Sequence, residues 1–420
     1  MLTVIPITAV GSGLSILIPL YILALHGSVL NVGFAVTLYN MVSIPSSLLW
    51  GKLADSFGKN RHKLFIISSI LGIFPILLIL GLASGPHAVE AMYGVYALVA
   101  TAASPSINIL VMGTRRNPNL PRFFSRYSIY GIVGSLMAMI PGLLIGNQIM
   151  LYLHLLLVLN VVGLFAAWFT IKDIKPEQMP MASVHKANRL FPVLNMLSSL
   201  PNLLTGQRLI EHIHKIFDGS HRNFSLLLLA VAMFNVASNL FGTSYIPYLK
   251  TFGMSYSSIF SISIGNTLGQ LAMYIVIIYL VSKSIDLHKY YYISVLSRGA
   301  MYVFVLIPLF IALSGFFYIN LVGYSIAGFS YALWNIAASV LLYDKMRGRN
   351  AGYKIGIWIA VLGLSAVAGS LLSGLISGSI GYFYTFVAAS LVTLLSATVF
   401  GTYCLNFRRP GPIAAALESR

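Results

Sequence analysis

The residues able to do chemistry in this chain are few and peripheral. Nine carboxylates occur in 420 residues, and none falls in the middle of an apolar run. They sit in polar stretches, in the terminal segment or at the edges of runs, with Glu90 at one such edge. Hydrolysis and group transfer need paired acids, metal ligands or a nucleophile beside a base. Neither Asp-x-x-Asp nor His-Glu-x-x-His occurs. His185, His212, His214 and His221 gather in one polar stretch, but without a cysteine or a His-x3-His pair, so a solvated segment explains them better than a metal site. Cys404 is the one cysteine; it permits no internal disulfide and reads as a small packing residue. No catalytic residue, metal or cofactor is expected, and the chain does not read as an enzyme.

What remains is binding chemistry. Asn235 and Asn239 are spaced i, i+4, as are Asn266 and Gln270, so on helices each pair shares one face. Asn40, Asn108 and the Trp334-Asn335 pair add further polar groups within apolar runs. Such a set suits a polar uncharged or amphiphilic solute, in a cavity walled by Tyr21, Tyr245, Tyr248 and Trp358. The same amides can instead bond one helix to the next, as they often do in membranes. Arg298 is the one charge inside an apolar run. It stands roughly 15 Å from the nearer end at 1.5 Å per residue. A cation at that depth either serves a cavity or snorkels back to the headgroups.

The elements that must carry these residues follow from composition. The chain is 58% hydrophobic and 8% charged, with mean hydropathy +0.86, against roughly 25% charged in soluble proteins. A spanning helix needs roughly 20 apolar residues. That rule gives twelve spans, near 3–25, 31–50, 64–84, 91–112, 123–146, 149–171, 223–249, 257–281, 289–313, 316–342, 353–378 and 380–404. Unbroken apolar runs indicate helices rather than barrel strands. With the segment between the second and third spans placed in the cytosol, 24 of the 26 Lys and Arg residues fall on that side. The exceptions are Lys250 and Arg298. This bias puts both termini in the cytosol of a multi-pass cell-membrane protein. It also accounts for the +17 net charge without a nucleic-acid partner. Met1 leads directly into apolar residues with no basic region before them, so the first span is expected to act as an uncleaved insertion signal.

The expected organisation is a six-helix bundle over 1–171, a cytoplasmic linker over 172–222, a second six-helix bundle over 223–404 and a cytoplasmic tail over 405–420. Within the linker, Leu209, Ile210, Ile213, Ile216 and Phe217 have helical spacing and predict an interfacial amphipathic helix. The halves look like parallel repeats. Ile18-Pro19-Leu20-Tyr21 with Gly27 answers Ile246-Pro247-Tyr248 with Gly253, and Asp286 echoes Asp55.

The most informative stretch lies between the second and third spans. Gly51-Lys-Leu-Ala-Asp-Ser-Phe-Gly-Lys-Asn-Arg-His-Lys63 frames one aspartate and a basic cluster between two glycines. It resembles the loop signature of the major facilitator superfamily, Gly-x-Leu-x-Asp-x-x-Gly-x-(basic), and sits where that family places it. The match runs through Gly51, Leu53, Asp55, Gly58, Lys59 and Arg61. The resemblance implies an all-α polytopic membrane protein with twelve transmembrane helices in two pseudo-symmetric six-helix bundles. It also implies a secondary transporter that moves a small organic solute by alternating access, with the lipid bilayer as its surroundings; a monomer is expected. By the same resemblance Asp55 is a conformational latch at the start of span 11, near Gly352 and Tyr353. Gly51 and Gly58 would shape the turn, with Lys59 and Arg61 as the cations beside it.

Two departures bear on transport mode. Drug/proton antiporters of that superfamily carry a basic residue early in span 4, and Ala91–Ala103 has none. Span 5 offers Gly131, Gly134, Pro141-Gly142 and Gly146, with the family's Gly-Pro pair reversed. The glycines lean toward efflux, although close helix packing explains them better. The lack of buried acids leans away from proton coupling and leaves a facilitated-diffusion uptake carrier open. A non-transporting receptor on the same scaffold is the remaining alternative.

Overall fold

Backbone N–H and C=O groups in hydrocarbon have no water to bond, so each apolar run satisfies them internally as a helix. The computed structural model describes residues 4–56, 62–103, 120–145, 148–171, 222–280, 286–309, 315–346 and 351–408. Gly58, Lys59, Arg61 and Asn108 lie outside the described residues, as do the linker with its expected amphipathic helix and the end of the tail. Asp55 falls in the last turn of its helix, its side chain outside the description.

The described residues form twelve α-helices. The first six are α1 (Val4–Ala24), α2 (Val29–Ser56), α3 (His62–Leu80), α4 (Pro86–Ala100), α5 (Leu120–Ile145) and α6 (Ile149–Thr170). The second six are α7 (Arg222–Thr251), α8 (Tyr256–Leu280), α9 (Leu287–Phe304), α10 (Phe316–Met346), α11 (Ala351–Ser379) and α12 (Tyr382–Arg408). Ten of them are long and apolar enough to cross a membrane. The other two are α4, with 15 described residues, and α9, with 18 residues that include Lys289 and Arg298. The largest departures from the sequence reading are at these two. Helix α4 starts five residues early because Pro86, which needs no N–H partner, occupies its first turn. Helix α9 stops at Phe304, and a short 3-10 turn, Ile307–Leu309, follows around Pro308.

Two bundles with matching internal pairings result. In the first, α1 packs on α5, α2 on α4 and α3 on α6; in the second, α7 packs on α11, α8 on α10 and α9 on α12. Each pairing maps onto the other by adding six. The turns agree in atomic detail. After α1, Leu25, His26 and Gly27 donate to the carbonyls of Tyr21, Leu23 and Ile22; after α7, Phe252, Gly253 and Met254 donate to those of Tyr248, Lys250 and Leu249. The same Schellman-type closure therefore recurs, and it corrects the register read from sequence. Tyr21 answers Tyr248, and the left-handed position is His26 (φ 61°) in one half and Gly253 (φ 76°) in the other. Gly27 serves close packing instead, since a side chain there would run into Ile22 of the preceding turn. The suggested echo of Asp55 in Asp286 does not hold. Asp286 caps α9 through the backbone N–H groups of His288 and Lys289, at 3.1 and 3.3 Å, whereas Asp55 is still within α2.

The bundles meet along two seams, α2 with α11 and α5 with α8. On the first seam a Cβ added to Gly33 would stand 2.6 Å from the Gly374 Cα, and one on Gly374 would stand 2.9 Å from the Gly33 Cα. Only paired glycines allow this approach. Next along it, the Thr37 and Ser370 hydroxyls bond at 3.0 Å, and Ile44 lies against Gly363. On the second seam Phe260 fills the space beside Gly142 and meets the Tyr152 ring at 5.0 Å. Further along, Ile132 clusters with Met273, Tyr274 and Ile277. With Cys404 replaced by Ser, the pair Thr37→Cys and Ser370→Cys should cross-link readily under mild oxidation. Adding Gly33→Val should abolish most of that cross-linking by forcing α2 from α11, read as a gel-mobility shift.

Candidate functional site

The seam between α5 and α8 opens, beside α1, into a cavity of about 350 Å³. Its walls are Thr8, Gly11 and Ser12 of α1, Ser128, Gly131, Ile132 and Ser135 of α5, and Gln270 and Tyr274 of α8. Small residues make room for it, and no carboxylate lines it. Helical spacing brings the polar groups inward: Thr8 and Ser12 are i, i+4, and Ser128, Gly131 and Ser135 are i, i+3, i+7. The Ser12 and Ser135 hydroxyls bond to each other at 2.7 Å across the α1–α5 contact. The volume is in the range of small-molecule sites, roughly 300–1,000 Å³.

Several amides singled out from sequence continue this cavity. Gln270 donates to the Asn266 side-chain oxygen at 2.8 Å, and Asn266 donates to the Tyr324 carbonyl on α10 at 2.8 Å. Asn335 of α10 donates to the Tyr274 hydroxyl at 2.9 Å. Two cavity-lining side chains, Gln270 and Tyr274, are thus each held by an amide behind them. Among the described residues, Gln270 is the one amide of the set that reaches the cavity wall itself.

The other candidates are placed elsewhere. Asn235 donates to the Leu362 carbonyl at 2.7 Å and accepts from Asn239, which ties α7 to α11 inside the second bundle. Asn40 lies on α2 between Thr37 and Ile44, and among the described residues its buried side-chain nitrogen has no hydrogen-bond partner. Trp334 stacks on Phe234 with centroids 4.1 Å apart. Gly51 lies within α2, five residues before its end, where an added side chain would meet open space. Tyr21, Tyr245 and Tyr248, expected as cavity walls, are buried cross-links instead. Their hydroxyls bond the Leu80 and Ala83 carbonyls, the Asn320 side chain and the Val305 carbonyl. In the first bundle a different set, Tyr39, Tyr93 and Tyr96, forms a stack with centroids 4.7 to 6.1 Å apart.

Arg298 is 7% exposed and does not snorkel. Its Nε donates to the Tyr302 hydroxyl at 2.9 Å, one turn toward the C-terminal end of α9, and Nη1 donates to the Ala327 carbonyl on α10. The Tyr302 and Tyr331 rings both lie 5.5 Å from the guanidinium carbon. Glu90 likewise has a fixed place. It accepts from Asn31 at 2.8 Å and faces His87 at 3.1 Å, clamping the start of α4 to the start of α2.

Sequence reasoning missed Thr8, Ser12, Ser128, Ser135 and Tyr274. The available signal was the i, i+4 repetition of small polar residues on α1 and α5. It is weak, because hydroxyls in such helices usually bond their own backbone, as Thr8 does to the Val4 carbonyl at 2.8 Å.

A two-bundle helical membrane protein with a polar cavity on the seam between its halves has the build of a secondary transporter. Residues 1–353 match the Major Facilitator Superfamily, and the chain belongs to that family. Among curated proteins no significant sequence match is found. Solved structures share the fold. A POT family transporter in complex with a thioalcohol-conjugated peptide superposes with TM-score 0.73 at 12% identity, over 97% of this chain and 96% of that one. A POT family transporter in complex with 5-aminolevulinic acid gives 0.71 at 12%, over 97% and 96%. The nucleoside transporter NupG gives 0.62 at 14%, over 97% and 98%. At these identities the likeness is one of fold.

The amides behind the cavity have a measurable structural role. Asn266→Leu should destabilise the detergent-solubilised protein by about 0.5–2 kcal/mol, the scale of one interhelical hydrogen bond in a membrane protein. Gln270→Leu, which loses one bond to a neighbour on its own helix, should cost less. Paired thermal unfolding measurements check the order.

Proposed function

We propose that this protein carries a small organic solute across the cell membrane by alternating access, the two bundles rocking about the α2–α11 and α5–α8 seams. The observation behind the reading is the position of the cavity. It lies on a seam between the halves, where a relative tilt would change which side it opens to, and it is lined by hydroxyls and an amide that can bind a polar solute. In this reading both termini face the cytosol, and the positive-inside bias supports that orientation.

The loop signature supplies the switch. An anion at the N-terminus of a helix is favoured by roughly 0.3–1 kcal/mol. Asp55, at the end of α2, would hold the cytosolic end of α11 in one state and release it in the other, with Gly51 and Gly58 shaping the turn and Lys59 and Arg61 beside it. The absence of carboxylates from the middle of every span favours facilitated movement over proton-coupled pumping. The reversed Pro141-Gly142 pair of α5 keeps efflux as the second direction to test.

The deciding experiment is uptake of a labelled solute panel by proteoliposomes, with and without an imposed pH gradient. Equilibration without accumulation supports a facilitator. Gradient-driven accumulation contradicts uncoupled movement, and no saturable movement of any solute contradicts transport itself. Asp55→Asn should cut the initial rate severalfold while membrane insertion and unfolding temperature stay as in wild type; an unchanged rate would remove the latch.

A further inference from the structure

The groups facing Arg298 are all neutral. Nε bonds a phenol, Nη1 bonds a backbone carbonyl, and two tyrosine rings flank the guanidinium. A guanidinium carries a permanent charge, and a buried charge without a counter-charge is unfavourable even when cation–π contacts and neutral acceptors offset part of its desolvation. Among the described residues no carboxylate lies within ion-pair distance of it; the acidic pairs there are Glu90 with His87 and Asp286 with His288. Asp286 stands twelve residues before Arg298, about 18 Å along the chain at helical rise. Asp344 stands seventeen residues beyond Ala327 on α10, about 25 Å.

The cluster is also not sealed. Tyr302 passes its hydroxyl on to Ser238 of α7 at 3.3 Å, and both Ser238 and Tyr331 are half-buried. The guanidinium is therefore fixed by its neighbours between α7 and α10, beside two half-buried side chains, Ser238 and Tyr331.

From this geometry we propose that Arg298, which lies outside the lining of the α5–α8 cavity, is an anion-binding residue for the transported solute, which carries a carboxylate, sulfonate or phosphate group. The solute supplies the counter-charge that the described residues omit, and the fork of the guanidinium suits two oxygens of one such group. This replaces the neutral solute suggested by the amides alone. Tyr302 acts as a positioning residue that orients the guanidinium through Nε. A resident carboxylate would compete with the solute, so an unpaired cation is the arrangement that leaves the site open to it. The inference rests on the transporter reading for its use, but anion binding can be measured without transport.

The test compares three anions with their neutral counterparts on the full-length purified protein: benzoate with benzamide, succinate with succinamide, and glucose 6-phosphate with glucose. The readouts are thermal stabilisation in detergent and counterflow in proteoliposomes. At least one anion should stabilise the wild type where its neutral counterpart does not. Arg298→Gln should weaken that stabilisation by about tenfold or more in apparent affinity, as expected when one partner of a buried charge pair is lost. Arg298→Lys, which keeps the charge and loses the fork, should fall between. Tyr302→Phe should weaken anion binding with the charge intact, so a poorly folding Arg298 variant does not decide the matter. Equal stabilisation by anions and neutral compounds, or by none of the six, overturns the proposal and leaves Arg298 as a strut between α9 and α10. Arg298-dependent anion binding without counterflow would retain the anion site and reject transport of these solutes. Counterflow of neutral compounds that is indifferent to Arg298→Gln would do the reverse.

Discussion

Helices in a bilayer gain little by turning apolar side chains toward one another, because the lipid is equally apolar. Their association depends on close backbone approach and on hydrogen bonds between spans. That constraint runs through this whole protein. Gly33 and Gly374 bring α2 against α11, and Gly134 lets α1 come within reach of α5, where a side chain would strike the Ile5 carbonyl. Where glycine does not make the contact, hydroxyls do. Ser244, Ser373, Ser377 and Thr385 form a buried chain linking α7, α11 and α12, anchored on the Leu240 carbonyl. Ser396 bonds the Ala230 carbonyl between α12 and α7, and Asn160 bonds the Ile70 carbonyl between α6 and α3.

This mode of assembly explains which features the sequence made legible. Span number and position follow from hydropathy, since a run that is too polar cannot remain in lipid, and the ends of most helices fall within a few residues of the expected ones. The i, i+4 amide pairs were legible as pairs: Asn235 with Asn239 and Asn266 with Gln270 do bond each other. Their targets on other helices were not, because a helical face has no address until its neighbours are placed. The tyrosines show the same limit. Tyr245 and Tyr248 have the amphipathic character of cavity walls, but only the packing of α9 and α10 reveals that their hydroxyls end on Asn320 and Val305. The cavity itself was hidden behind residues whose ordinary behaviour in a helix is to bond their own backbone.

The two bundles are alike in backbone and unlike in chemistry. The turn closing α1 and the turn closing α7 share one set of hydrogen bonds, yet the left-handed residue is His26 in one and Gly253 in the other. The second bundle holds a buried guanidinium near the middle of α9, whereas the corresponding stretch of α3, Leu71-Gly72-Ile73, has no charge. The first bundle offers instead the stacked rings of Tyr39, Tyr93 and Tyr96. The repeat thus keeps its framework while its side chains diverge.

The pairing of seams has a mechanical consequence. Adding six to α2 gives α8, and adding six to α5 gives α11, so the internal repeat exchanges one seam for the other. The halves are therefore held on two flanks of a common pseudo-axis. A joint fastened on both flanks tips like a balance beam, whereas one fastened on a single flank swings like a door. In the proposed rocking motion, stiffening only the α2–α11 flank would alter the path along which the halves part.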